Sequence, residues 1–178
     1  GSTPNDGGNL ILSDIEKIDL INSFPLAEEF ILPLLGAEEF LKKKSRWCIW
    51  LLNQDIKKYK NIPLINDRID KVKKYRLQSK RIATNKSAKN PHLFAEIRHT
   101  NSNYILIPSS TSSRRKYLPV GFQKKNIIST NLNLIIPNPK IYEFGIISSK
   151  MHMLWLKNVG GRLGDGLRYS AKQVYNTF

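Results

Sequence analysis

The sequence has one cysteine, two methionines and no apolar run near the ~18–20 residues of a membrane span. A single cysteine excludes an internal disulfide framework. Cys48 lies in the run Trp47-Cys48-Ile49-Trp50-Leu51-Leu52, which marks a buried core thiol. His92, His99 and His152 are far apart and share no metal-ligand spacing with Cys48. His152, between Met151 and Met153 in an apolar helical pattern, reads as a packed structural histidine. There is no Walker loop, no Gly-x-Gly-x-x-Gly and no Gly-x-Ser-x-Gly elbow. The first residues have neither the charged nor the apolar part of a signal peptide. These absences lead to the expectation of a cytoplasmic chain without membrane attachment, catalytic residues, cofactor site or metal site of its own.

Acidic residues are also scarce, and only in one part. Residues 1–70 hold 9 Lys+Arg against 11 Asp+Glu, whereas residues 71–178 hold 20 against 3, namely Glu96, Glu143 and Asp165. The overall charge is +15. A metal-dependent nuclease needs clustered carboxylates, and the basic part, with three acids far apart in sequence, is poorly supplied with them. An excess of one sign concentrated in one stretch repels itself and suits a polyanion. Nucleic acid is the first candidate, because each neutralised phosphate releases counterions and adds affinity.

The 178 residues, 40% of them hydrophobic, are enough for one domain with a core. Ser13-Asp14-Ile15-Glu16 is a capping box that opens a helix to about Ser23. Pro25 opens a second helix through Leu32, and Gly36 to Leu41 a short third. Arg46 to Leu52 has strand character. Ile65, Ile69, Val72 and Leu77 share one helical face, between the cations Arg68, Lys71, Lys73, Lys74 and Arg76. Residues 78–92 read as a polar, basic connection. The period then changes to two, with strands expected at Leu93–Arg98, Tyr104–Pro108, Tyr117–Phe122 and Leu132–Pro137. Ile147, Met151, Leu154, Trp155 and Val159 line one face of a late amphipathic helix that Gly160-Gly161 ends. The expected class is α+β: short N-terminal helices and a basic helix packed with a mostly antiparallel sheet.

Three stretches suit nucleic acid. In Ser109 to Lys116 the hydroxyls of Ser112 and Ser113 can bond phosphate oxygens, and Arg114 and Arg115, with Lys116, can fork onto phosphates or a guanine edge. Lys124, Lys125 and Asn126, followed by Thr130, Asn131 and Asn133, carry side chains that can pair with base edges. The basic helix and linker from Arg68 to Lys89, including Lys80 and Arg81, can hold backbone phosphates without reading sequence. Arg98, Asn101 and Asn103 can serve either purpose. An RNA-binding or ribosome-associated module is the alternative, with Tyr104, Tyr117 and Phe122 stacking unpaired bases.

Several blocks resemble the target-recognition region of MmeI-like type II restriction–modification enzymes. They are GSTPNDGGNLILS (Gly1–Ser13), LGAEEF (Leu35–Phe40), RWCIWL (Arg46–Leu51), YILIPSSTSSRRKYLPVGF (Tyr104–Phe122), LIIPNPKIYEFGIISSKMHMLWLK (Leu134–Lys157) and GRLGDGLRYSAKQVYNTF (Gly161–Phe178). They run in order over nearly the whole chain. The resemblance implies one target-recognition domain, residues 1–178, cut from a longer bacterial polypeptide. That polypeptide would carry an S-adenosylmethionine-dependent adenine methyltransferase and, where it cleaves, a Mg-dependent nuclease. Its partners would be double-stranded DNA and the methyltransferase domain of the same chain. The segment around Ser113-Arg114-Arg115-Lys116-Tyr117 matches the family pattern and implies contact with DNA. Lys124–Asn133 lies where such domains vary, which implies base readout. The blocks His152–Arg162 and Tyr169–Phe178 are implied to maintain the fold and docking.

Overall fold

In the computed structural model, which describes residues 1–178 apart from the side chain of Gln54, the expected capping box is present. The Glu16 amide donates to the Ser13 hydroxyl at 3.2 Å, and the Ser13 amide to the Glu16 carboxylate at 2.9 Å. The helices are α1 (Asp14–Ser23), α2 (Ala37–Lys42), α3 (Ile56–Tyr59), α4 (Pro63–Leu77), α5 (Ile82–Lys86), α6 (Ile141–Ile147) and α7 (Lys150–Val159). The strands are β1 (Ile11–Leu12), β2 (Ile31–Leu35), β3 (Trp47–Ile49), β4 (Tyr104–Pro108), β5 (Ser110–Ser112), β6 (Gly121–Gln123), β7 (Ile128–Ser129), β8 (Asn133–Pro137), β9 (Gly161–Leu163) and β10 (Gly166–Arg168). The class is α+β, and the registered strand pairs are antiparallel. No helix among the described residues is long and apolar enough to cross a membrane.

The chain divides into two units. One holds Ser2–Leu34 and Lys44–Arg98. In it β3 pairs with both β1 and β2 and buries Cys48 and Ile49. Pro63 starts α4, whose missing amide proton costs nothing at the first turn. Ile65, Ile69, Val72 and Arg76 are the buried face of α4, while Lys71, Lys73 and Lys74 stay exposed.

Arg76 is the exception to its sequence reading as a surface cation. It is fully buried, and its guanidinium donates to five backbone carbonyls: Asn5, Pro4, Ser87, Asn90 and Leu93. Those distances run from 2.7 to 3.1 Å. Five N–H donors meet five acceptors, so the charge is solvated by peptide dipoles instead of water. Arg68 is also engaged, on Glu16 at 2.7 Å and on the Asn9 carbonyl at 3.1 Å. Neither arginine is a free phosphate ligand, and Lys71 pairs with Asp67 at 2.7 Å, so Lys73 and Lys74 are the exposed lysines of α4 available for the expected clamp.

The other unit holds Gly1, Leu35–Lys43 and His99–Phe178. Its three-stranded sheet runs β6–β4–β8, with Ile105 opposite both Phe122 and Ile136. Ile105 and Ile107 join Leu118, Ile147, Met153, Leu156, Leu167, Tyr169 and Val174 in one buried cluster. A second sheet, β5–β10–β9, lies beside it in sequence through Pro108 and Ser110.

Several expected elements take another form. Pro25–Phe30 is a 3-10 turn, and Ile31 already belongs to β2. Leu93–Arg98 forms only a bridge, Thr3 with Glu96. The connection 78–92 contains α5. Strand β6 begins only at Gly121, because Leu118 turns into the core. The late helix is two, α6 and α7: Ser149 accepts from the His152 amide at 3.1 Å and restarts the helix as its cap.

Candidate nucleic-acid interface

The alternation of a strand sorts the Ser-rich segment into two faces. Thr111 opposes Leu167, and both are buried. Ser110 opposes Arg168, and Ser112 opposes Gly166. Ser112 and Arg168 therefore fall on the outer face, where both are exposed. Within this segment β5 gives Ser110–Ser112 a fixed direction.

The turn after β5 is held by its own polar groups. The Arg114 amide donates to the Ser112 hydroxyl at 3.3 Å, and the Arg115 amide to the Ser112 carbonyl at 3.3 Å. The Ser113 hydroxyl donates to the Asp165 carbonyl at 3.2 Å, joining this turn to the β9–β10 hairpin. Gly164 takes φ +56° at that hairpin, a left-handed conformation that favours glycine. A side chain at Gly166 would come within 3.1 Å of the Thr111 carbonyl. An open groove of about 480 Å³ results, lined among others by Leu41, Ser112, Arg114, Leu163 and Asp165. Arg114, Arg115, Lys116, Arg162 and Arg168 are exposed, and among the described residues none is paired with an acid.

Other expected contacts divide sharply. Thr130 and Asn133 are buried, at 7% and 3% exposure. The Asn133 amide donates to the Leu35 carbonyl at 2.9 Å and to the Ser129 hydroxyl at 3.2 Å. The Asn133 carbonyl accepts from the Gly1 amino group at 3.0 Å. Both residues, expected to reach base edges, are instead buried, and the Asn133 side chain bonds within the fold. Lys124, Lys125, Asn126 and Asn131 are exposed. Asn103 is exposed but committed in part, since its side-chain oxygen accepts from the Lys125 amide at 3.1 Å. Asn101 is exposed in the same unit. Arg98, Lys80 and Arg81 are exposed in the other unit, where Arg98 pairs with Glu96 at 3.1 Å.

Arg162 and Arg168 are the cations that spacing does not single out. The signal is the hairpin itself, Gly161-Arg162-Leu163-Gly164-Asp165-Gly166-Leu167-Arg168, an alternating run about a glycine turn. His152 is buried, as its sequence setting suggests. Its Nε2 lies 2.9 Å from the Tyr169 hydroxyl, directly behind Arg168 in the chain, and burial lowers its pKa. Among the described residues no group of three or more His, Cys, Asp or Glu is arranged to hold a metal ion.

The fold and this surface define a basic α+β domain in which Arg114, Arg115, Lys116, Arg162 and Arg168 stand exposed on and beside one small antiparallel sheet. The chain belongs to the family described as MmeI, target recognition domain, whose family model matches residues 1–178. It is 39% identical over all 178 residues to DNA methyltransferase A of Bacillus subtilis (strain 168), of which it spans 20%. A solved structure of the type IIL restriction-modification enzyme MmeI in complex with DNA is 42% identical, with a TM-score of 0.97. The likeness covers all of this chain and 24% of that one. The chain thus spans about a fifth to a quarter of the length of these relatives.

Proposed function

We propose that this chain reads double-stranded DNA in a sequence-specific way within a restriction–modification adenine methyltransferase. What carries the reading is the outer face of β5–β10–β9, where Ser112 and Arg168 stand exposed, with Arg114 exposed in the turn after β5 and none of them paired with an acid. Guanidiniums fork onto phosphate oxygens or onto guanine, and the serine hydroxyls accept or donate beside them. Membership of the family, and likeness to an enzyme solved with DNA, support it. Arg114, Arg115 and Lys116 hold the duplex. Lys124, Asn126 and Asn131, with Asn101 and Asn103, reach base edges, and Lys125 holds phosphate beside them. Lys80 and Arg81 with the α4 lysines contact backbone phosphate in their own unit.

The longer polypeptide supplies the reaction. On this reading S-adenosylmethionine, and Mg where the longer polypeptide cleaves, belong to segments outside this chain, which spans 20–24% of its relatives. The adenine amino group is hidden in a duplex, so methylation requires the base to leave the stack after the site has been read. The cytoplasm, where DNA and cofactor are both available, is the fitting compartment. The test is a salt titration of binding to duplex DNA, single-stranded DNA and structured RNA of equal length. Preference for duplex, with log affinity falling steeply against log salt, is the expected result. Preference for RNA would sink the reading.

A further inference from the structure

Phe122 is the odd residue of β6. Its register partner Ile105 is fully buried, and Ile136 continues the same row. Yet Phe122 itself is 47% exposed. One side of its ring is covered by Phe144, stacked at 5.1 Å between centroids and 27° between planes. The ring is therefore fixed in place with much of its surface open.

Beside it is an open groove of about 580 Å³, lined by Ser102, Asn103, Phe122, Lys125, Asn138 and Pro139. Its rim is tied together by backbone and side-chain bonds. The Asn103 side chain accepts from the Lys125 amide, the Asn103 carbonyl accepts from the Asn138 amide at 3.1 Å, and the Ser102 hydroxyl accepts from the same amide at 3.3 Å. Those bonds use backbone donors, and leave the Lys125 ammonium and the Asn138 side-chain amide exposed. Lys124 and Lys140 flank the groove in sequence and are exposed. The acid nearest in sequence, Glu143, accepts from the Lys140 amide at 2.8 Å as part of the α6 cap.

We propose that this groove is a stacking site for an unpaired nucleobase, with Phe122 as the platform and Lys125 on the adjoining phosphate. A rigid aromatic face suits any base, because every base has a π-face. The Asn138 amide offers both a donor and an acceptor to a base edge that has lost its partner. An apolar protein partner would be poorly served here, since four of the six lining residues, Ser102, Asn103, Lys125 and Asn138, are polar. The proposal rests on the nucleic-acid reading above, but it concerns a base outside a pair, which the sheet β5–β10–β9 does not need.

The experiment uses the 178-residue chain and oligonucleotides with one 2-aminopurine, placed in a single-nucleotide bulge, in a single strand, or fully paired. Stacking on Phe122 quenches the bulged or single-stranded probe, and the paired probe stays unchanged. A signal from the bulge marks a base displaced from a duplex; one from the single strand alone marks a strand end. Phe122→Leu keeps an apolar contact on Phe144 but removes the platform, and weakens the quenched complex roughly five- to hundredfold. Lys125→Gln, a surface change, weakens it less and flattens its salt dependence. Circular dichroism confirms that both variants fold. If fully paired duplex binds both wild type and Phe122→Leu while no probe is quenched, this inference fails and the duplex reading stands. If no DNA binds at all, the duplex reading fails with it.

Discussion

The Arg76 guanidinium donates to the Leu93 carbonyl at 2.7 Å, seventeen residues along the chain. Four more bonds fasten Pro4, Asn5, Ser87 and Asn90 to the same group. One side chain thus secures the N-terminal strand of backbone and the segment after α5. Burial pulls its pKa down, and Asp6 opposes that pull. Arg76→Lys keeps the charge but cannot reach five acceptors, so several buried carbonyls lose their donor. The expected loss is about 3 kcal/mol or more in denaturant unfolding. A loss under about 1 kcal/mol would show that water replaces the guanidinium without penalty.

Asn133 gives a second test of what is structural. It was expected to read bases, and the fold instead spends its amide on Leu35 and Ser129. Asn133→Ala should cost about 1–3 kcal/mol of stability and leave site preference unchanged in an enzyme that carries this domain. Asn131→Ala, at an exposed position two residues away, should do the reverse. A changed methylation site in the Asn133 variant, with unchanged melting, would mean that the groove faces have been assigned wrongly.

These contrasts show where the sequence is readable. The Ser13–Glu16 box and the Ile65–Ile69–Val72 face follow local spacing, and local spacing is enough to place them. Arg76 and Asn133 are ambiguous in sequence, because a polar residue looks the same whether its partners are water or carbonyls seventy residues away. Ser149 restarts the helix as a cap, and α7 then buries His152, Met153 and Leu156 while Met151 and Leu154 of the expected apolar face stay exposed. The basic half and the segment Ser112–Lys116 were visible as candidate contacts. The joining of that segment to the Asp165 hairpin was not, because strand pairing across fifty residues leaves no local trace.

Glu16 ties stability to pH. The Ser13 amide foremost, then Arg68, holds its carboxyl down to about 2. A carboxylate with a depressed folded pKa stabilises the fold above its unfolded value and loses that contribution as pH falls toward the folded one. Glu16→Gln should cost about 1 kcal/mol at neutral pH, less than a buried pair because the group is half exposed. The gap between the two proteins should close from about pH 4 downward. A constant gap through that range would place the effect in packing instead of charge.

His152 acts at milder acidity. Burial lowers its pKa, as it does for His92 and His99. For a base with a depressed folded pKa, the unfolded chain binds the proton first, so stability is full above about pH 6.5 and declines below it. Among the described residues His152 Nδ1 has no hydrogen-bond partner, and Nε2 faces the Tyr169 hydroxyl. A second proton therefore finds no acceptor at Nδ1. Tyr169 follows Arg168 directly and its amide donates to the Ser109 carbonyl at 2.8 Å, which links His152 through Tyr169 to the β5–β10 pairing. Acidification from pH 7 to 5 should lower the melting temperature, and His152→Gln should reduce that slope while leaving the components from His92 and His99. Duplex affinity, by contrast, should change little in His152→Gln at pH 7 if Arg114 and Arg168 carry it. Arg114→Ala should weaken binding to every sequence and reduce the salt slope by about 1. An Arg114 variant with an unchanged salt slope would remove the guanidinium from the phosphate contact.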